Sequence, residues 1–456
     1  MRQAKYYTLK TLAVISVGLL MVKILIPGMR SALDNKVIGN QIEPNLKNNS
    51  PKEIQESERS NENINKQFKF FIYDLPSTLN KDIITCVIRK LGHCYDLLSY
   101  GYGTEMFRTG KNQDVSVRNT NQFSLEVIMH NKLLHNRLRT MNMFEADMFY
   151  IPAYLGLMFF CNRNENEIRD RIQILKRFLA KSDFFLRGLP HFSSTAKIER
   201  EMNFYLKEGF TKNITFLGIE KQRSLNEKTQ LIVVPYPSYL HHDTRGQSFF
   251  TTELSERDIF ILLPVGQRRS NPHRAKLMDQ FGITTKMSYS EFKSYKWSKS
   301  SDMVLFYTNE CDAKAIKNTI PWMLKSVFCL QPPGDSPTRK SFYDAILSGC
   351  IPVILTEDHY NPYPFQRFFK YNNFSVLIPL KNVTSENQNI YTILRRIKKS
   401  EIERLHHNIR QVARFYQYSF IERGKFNESD ALHPIFAELS YIYNLNYSTE
   451  FISIKR

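Results

Sequence analysis

The stretch that most limits what this chain can fold into is Phe328 to Leu355, FCLQPPGDSPTRKSFYDAILSGCIPVIL. It reads as a strand, a polar turn, a helix and a second strand. Ser336 suits the helix N-cap, since its hydroxyl accepts an N–H orphaned in the first turn, and Pro337 suits the first helical position, having no N–H to lose. Helical spacing puts Phe342, Ala345 and Ile346 on one face and Lys340, Ser341, Asp344 and Ser348 on the other, leaving the polar face to meet a ligand. Gly349 stands where a helix needs a left-handed residue after its end. CIPVIL then runs without a polar break, as strands covered on both faces of a parallel sheet do.

Such a unit aims backbone N–H groups and the positive end of a helix at the mouth of a parallel sheet, where phosphate binds most readily. The residues expected to hold a nucleotide are Gly334, Asp335, Ser336, Thr338, Arg339, Lys340 and Ser341, with Asp344 accepting from ribose hydroxyls. The plainer reading is a capped helix with a surface Lys340–Asp344 pair. The segment resembles the signature of the exostosin-like glycosyltransferases, glycosyltransferase family 47. Within that family it is most similar to the branch containing plant xyloglucan galactosyltransferases. The order Thr338-Arg339-Lys340-Ser341 carries that distinction, because other branches have a serine where Arg339 stands and an arginine where Ser341 stands. FIYDLPSTLNKD, TNQFSLEVIMHN and LIVVPYPSYLHH are similar to the family's blocks in the same order. RGLPHF, residues 187–192, meets the family's Gly-Arg-Asp-His-Phe motif only in part: His191 and Phe192 carry over and the aspartate does not.

Strands alternating with helices argue for an α/β protein with parallel pairing. The resemblance implies two Rossmann-like domains facing across a cleft, the glycosyltransferase B type. The expected divisions are a cytosolic tail 1–10, a transmembrane signal anchor 11–29, a disordered stem 30–66, an acceptor-side domain 67–245, and a nucleotide-sugar domain with tail helices 246–456. Thr11 to Met29 is almost wholly apolar with basic residues ahead of it, which suits one bilayer crossing with the bulk of the chain on the luminal side. Residues 30–66 lack the apolar side chains to fold. Asn-x-Ser/Thr sequons at Asn48, Asn213, Asn373, Asn382, Asn427 and Asn446 fit a luminal body, and the expected location is the Golgi membrane.

Lys+Arg 63 against Asp+Glu 44 leaves a formal charge of +19, which attracts anionic substrates. The basic residues are scattered and form no nucleic-acid motif, so no nucleic-acid partner is expected. The six cysteines match no zinc spacing. Cys86 and Cys94 are close enough in sequence to bridge. Cys161, Cys311, Cys329 and Cys350 would pair in an oxidising compartment, although Cys329 and Cys350 also read as small buried apolar residues.

The resemblance implies inverting transfer of a sugar from a UDP-sugar, galactose by its branch, to a glycan or polysaccharide acceptor. The chain has no Asp-x-Asp segment suited to a divalent ion, so no metal or other cofactor is expected. The departing diphosphate would be neutralised by Arg268, Arg339, Lys340 and the amides of Gly334 to Thr338. Gly266 ends the strand of IFILLPVGQRR and lets a backbone approach the ligand. Inversion requires a base for the acceptor hydroxyl; Glu126 and His191 are the candidates and Asp243 a weaker third, each with a structural reading beside it. The alternatives to an enzyme are a catalytically inactive exostosin-like subunit that binds glycans or scaffolds other glycosyltransferases, and a tethered lectin-like ectodomain.

Overall fold

The computed structural model describes residues 67–448 apart from 93–94, 111–112, 162–163, 203–207, 222–229, 244–251, 266–271, 282–302, 308–312, 335–336, 357–362 and 421–429. The expected tail, anchor 11–29 and stem 30–66 therefore lie outside the described residues. Among the described residues no helix is long and apolar enough to cross a membrane.

The strands are β1 (Phe70–Ile72), β2 (Glu105–Thr109), β3 (Val115–Arg118), β4 (Met148–Ile151), β5 (His191–Thr195), β6 (Ile214–Gly218), β7 (Leu231–Val233), β8 (Leu240–His242), β9 (Ile259–Val265), β10 (Met303–Tyr307), β11 (Ser326–Gln331), β12 (Ile351–Thr356) and β13 (Val376–Pro379). The longer helices are α1 (Lys81–Leu91), α2 (Leu125–Leu134), α3 (Glu165–Leu179), α4 (Pro272–Gln280), α5 (Ala313–Leu324), α6 (Lys340–Ser348), α7 (Lys399–Val412) and α8 (Leu432–Tyr443). The alternation of strand and helix read from the sequence gives two parallel sheets, β1-β4-β5-β6-β7 and β10-β9-β11-β12-β13. Their central strands are buried, as the continuous apolar runs require. Every residue of β4 and β6 is buried, and so is β12 from Ile351 to Leu355. A small antiparallel sheet, β2-β3-β8, lies beside them.

The order of the second sheet reverses between β9 and β11, the place where a doubly wound sheet opens a crevice at the carboxyl ends of its strands. The first sheet runs in chain order and has no such reversal.

The unit that anchors the sequence reading forms as strand, turn, helix and strand, but its helix begins later than the spacing predicts. α6 starts at Lys340 with Arg339 as its N-cap, and Arg339 makes no side-chain capping bond. Pro337 stands ahead of it, and Ser336 lies outside the described residues. The end agrees with expectation: Gly349 takes φ 72°, and the Cys350 N–H reaches back to the Ala345 carbonyl at 3.0 Å.

The chain returns to its first sheet at the end. Phe436 of α8 packs on Phe68 and Phe70, and the Tyr443 hydroxyl donates to the His191 carbonyl at 2.9 Å. The tail, which the sequence division groups with the nucleotide half, therefore also closes on the first sheet. Between the halves, Lys132 of α2 is paired with Asp430 at 2.6 Å, both side chains fully buried. Its ammonium also donates to the Ser419 carbonyl and hydroxyl, each at 3.1 Å.

The cysteine pairing differs from the sequence expectation. Cys86 of α1 bridges Cys161, with Cα atoms 5.6 Å apart, and not Cys94, which lies outside the described residues. α1 points Cys86 at the short helix Met158–Cys161 that follows β4, a proximity no sequence spacing reveals. Cys329 and Cys350 form a second disulfide joining β11 to the start of β12. Asn213, Asn373 and Asn446 are exposed and Asn382 is half-buried, while Asn48 and Asn427 lie outside the described residues.

Candidate active site

Parallel strands share one carboxyl edge, and in this molecule the two carboxyl edges meet. Tyr236, in the segment after β7, places its ring 5.6 Å from that of Tyr343 in α6. Ser238 and Tyr239, in the same segment, donate their hydroxyl and amide to Asp344 Oδ1 at 2.6 and 3.0 Å. The segment that follows β7 therefore touches the helix that starts after β11.

At the reversal point itself stands Arg339. Its guanidinium donates to the Pro264 carbonyl in β9 at 3.0 Å and to the Pro332 carbonyl just past β11 at 3.4 Å. One side chain thus spans the ends of the two strands between which the sheet order reverses. Arg274 of α4, itself buried, donates to the Pro333 carbonyl at 3.3 Å. Two guanidinium groups and the start of α6 gather positive charge on one strand edge, the arrangement an anionic diphosphate requires. Of the other residues expected to grip a nucleotide, Gly334 follows this turn and is half-buried, and Thr338 is buried. Asp335, Gly266 and Arg268 lie outside the described residues, as does Ser336.

The polar face of α6 does not wait for a ligand. Lys340 and Asp344 pair at 3.2 Å as their spacing allows, yet the pair is buried and not, as the plainer reading has it, on the surface. Lys340 lies over the ring of Tyr239, and Asp344 is occupied by the Ser238 and Tyr239 donors. Asp344 is placed to hold the two halves together, and its ribose role is not supported by these contacts. Ser341 likewise faces inward and donates to Gln331 Oε1 at 2.7 Å, tying the helix to the end of β11.

His191 is corrected outright. It opens β5, so it lies at the amino edge of the first sheet, away from the carboxyl edges that meet. Its ring is stacked on Phe149 and Tyr73 at 5.0 and 5.6 Å. Nε2 contacts the Tyr73 hydroxyl at 2.8 Å and Nδ1 the Leu189 carbonyl at 2.6 Å. Burial holds the imidazole down to about 4, so it stays neutral at working pH. It is a core residue.

Glu126, near the start of α2, does lie at the carboxyl edge, because its partners follow β4 and β5. Its Oε1 and Oε2 accept from the Gly156 and Leu157 amides at 2.6 and 2.9 Å, and the Ala196 amide adds a third bond. Burial pushes the carboxyl up to about 8, against the pull of these amides and of Lys197. With both oxygens on backbone amides, Glu126 pins two loops and is poorly placed to receive a substrate proton. Gly156 has no room for a side chain here: a Cβ would meet the Lys197 amide nitrogen at 2.9 Å. Asp243 donates its amide to the Asp114 carbonyl beside the antiparallel sheet.

The carboxylate that the sequence reading missed is Glu220. It lies just past the end of β6, is buried, and accepts a hydrogen bond from the Tyr236 hydroxyl. Nothing in the residues around it, LGIEK, sets it apart until the two edges are brought together. No group of three or more histidine, cysteine or carboxylate side chains suited to a metal ion occurs among the described residues.

The exostosin GT47 domain matches residues 64–397. The probable xyloglucan galactosyltransferase GT15 of Arabidopsis thaliana is 30% identical over 386 residues, 78% of this chain and 77% of its own. The xyloglucan-specific galacturonosyltransferase 1 of the same plant is 28% identical over 70% of this chain and 48% of its own. Among solved structures, Anabaena Alr3699/HepE in complex with UDP and glucose aligns over 83% of this chain and 100% of its own. That alignment has 10% identity and a TM-score of 0.34, too slight a likeness to bear on the site. The domain match and the relatives agree with the motifs around Arg339, and the chain belongs to the exostosin GT47 family of glycosyltransferases.

Proposed function

We propose that this protein transfers a sugar, with inversion, from a UDP-sugar to a glycan or polysaccharide acceptor. The observation that carries the reading is Arg339 spanning the carboxyl ends of β9 and β11 at the reversal of the second sheet, with Arg274 beside it. Fixed cations and a helix start there neutralise the diphosphate as it departs, a service that preorganised charge renders without rearrangement. Two parallel-sheet halves with their carboxyl edges in contact suit the glycosyltransferase B arrangement, donor on the second half and acceptor on the first. Galactose is the proposed sugar, in keeping with relatives named as xyloglucan galactosyltransferases.

We place the enzyme in the Golgi membrane as a single-pass type II protein with a luminal body. The apolar run Thr11 to Met29 supports this, as do the exposed sequons. Two disulfides among the described residues suit an oxidising compartment.

The test is transfer by the purified full-length chain from a panel of UDP-sugars to xyloglucan oligosaccharides, read by mass spectrometry. Addition of one hexose from UDP-galactose, with inverted anomeric configuration by NMR, is the expected result. A chain that binds the oligosaccharide but turns over no nucleotide sugar is instead an inactive glycan-binding subunit.

A further inference from the structure

Glu220 lies past the carboxyl end of β6, linked through Tyr236 to the second half, whereas the two main sequence candidates are placed less well. His191 is at the far edge of its sheet, and Glu126 has both oxygens on backbone amides. Glu220 comes from the carboxyl end of β6 in the first half and reaches the second half through two rings. The Tyr236 hydroxyl donates to it, and the Tyr236 ring packs on Tyr343, four residues along the chain from Arg339. The groups around it are consistent with this closeness. Burial raises the Tyr343 hydroxyl pKa, and the charges of Tyr363, Tyr416 and Glu220 raise it further. Tyr363 is raised mainly by burial, with Arg339 opposing and Glu220 reinforcing. Glu220 and Arg339 thus both act on Tyr363, so the carboxylate of one half and the phosphate-end cation of the other share a neighbourhood.

We infer that Glu220 is the general base that accepts the acceptor hydroxyl proton, with Tyr236 as a positioning residue that fixes its carboxylate. This rests on the proposed transferase function. In the step, the acceptor oxygen bonds to the anomeric carbon as the bond from that carbon to the diphosphate oxygen breaks. The hydroxyl proton passes to a Glu220 oxygen, and the electron pair of the broken bond leaves with the diphosphate beside Arg339. The second half thus supplies charge for the leaving group, and the first half removes the proton.

The experiment compares the full-length wild type with Glu220→Gln and Tyr236→Phe in three measurements: transfer from UDP-galactose, the pH profile of kcat/KM, and UDP affinity by calorimetry. Glu220→Gln keeps the size of the side chain and is expected to lower kcat roughly 10²- to 10⁴-fold, with UDP Kd within about threefold of wild type and the acidic limb of the profile lost. Tyr236→Phe removes a hydrogen bond that favours the charged carboxylate, so the acidic limb is expected to move to higher pH. Near-normal transfer by Glu220→Gln overturns the inference, and so does loss of UDP binding in step with transfer, which would make Glu220 a donor-holding or structural residue. Should Glu220→Gln fail to fold, an unmoved acidic limb in Tyr236→Phe overturns it instead. A wild type that binds UDP and transfers sugar leaves the proposed function standing whichever way the variants fall; a wild type that does neither removes both.

Discussion

Lys132→Met should unfold this protein far more easily, and the size of the effect follows from what the ammonium leaves behind. Lys132 and Asp430 are both fully buried and lie 2.6 Å apart. Removing one partner of such a pair costs about 3–5 kcal/mol, because the other charge remains out of water. Asp430 would keep the Ser419 amide and hydroxyl at 2.8 and 2.7 Å and the Leu432 amide at 2.9 Å, which places Lys132→Met at the lower end of that range. Asp430→Asn removes the opposite charge, leaves the ammonium on neutral acceptors such as the Ser419 oxygens, and falls at the upper end. The double variant should cost less than the two singles summed, by about 2 kcal/mol, since each single carries the penalty of an unpaired charge. Chemical unfolding of all four proteins, followed by circular dichroism, gives the cycle. Additive effects, or a Lys132→Met cost below about 1 kcal/mol, would show that the pair is not the link between the halves that its geometry describes.

Other consequences follow from single contacts. Glu126 has its carboxyl raised to about 8 by burial, above its ordinary value of 4.5. The folded state therefore holds the proton more firmly than the unfolded one between those values, and stability should fall as pH rises across that window. Glu126→Gln should flatten the dependence in pH-resolved melting curves. Gly156→Ala puts a methyl 2.9 Å from the Lys197 amide nitrogen, so it should cost about 1–3 kcal/mol and impair transfer while UDP affinity holds. Replacing His191 by leucine should lower the melting temperature, yet leave the pH profile of the surviving enzyme as in wild type, because the imidazole is neutral and distant from the carboxyl edges. The Cys86–Cys161 bridge spans 75 residues and Cys329–Cys350 spans 21. Loop-closure entropy then ranks their removal at about 4.5 and about 3.3 kcal/mol, measurable in Cys→Ser pairs by chemical unfolding.

Local order was legible in the sequence wherever neighbours in the chain decide it. The apolar runs of β11 and β12, the left-handed Gly349 and the parallel class of the sheets all rest on residues a few positions apart. So does the Lys340–Asp344 pair, one helical turn long. What escaped depends on contacts between distant segments. Asp344 looked free for ribose because Ser238 and Tyr239 are more than a hundred residues away in the chain. Cys86 looked nearest to Cys94 because only the folded first half brings Cys161 to α1. His191 drew notice from a motif match, and its place at the amino end of β5 becomes visible only with the register of the sheet. Glu220 carried no local signal at all.

In the proposed mechanism the turn between β11 and α6, with Arg339 across the strand ends, holds the donor diphosphate. The most direct measurement is a crystal structure of this protein with UDP bound. The diphosphate is predicted at the carboxyl ends of β9 and β11, with a phosphate oxygen within hydrogen-bond distance of the Arg339 guanidinium. UDP seated elsewhere, or Arg339 still turned wholly to the Pro264 and Pro332 carbonyls with the nucleotide in place, would contradict it.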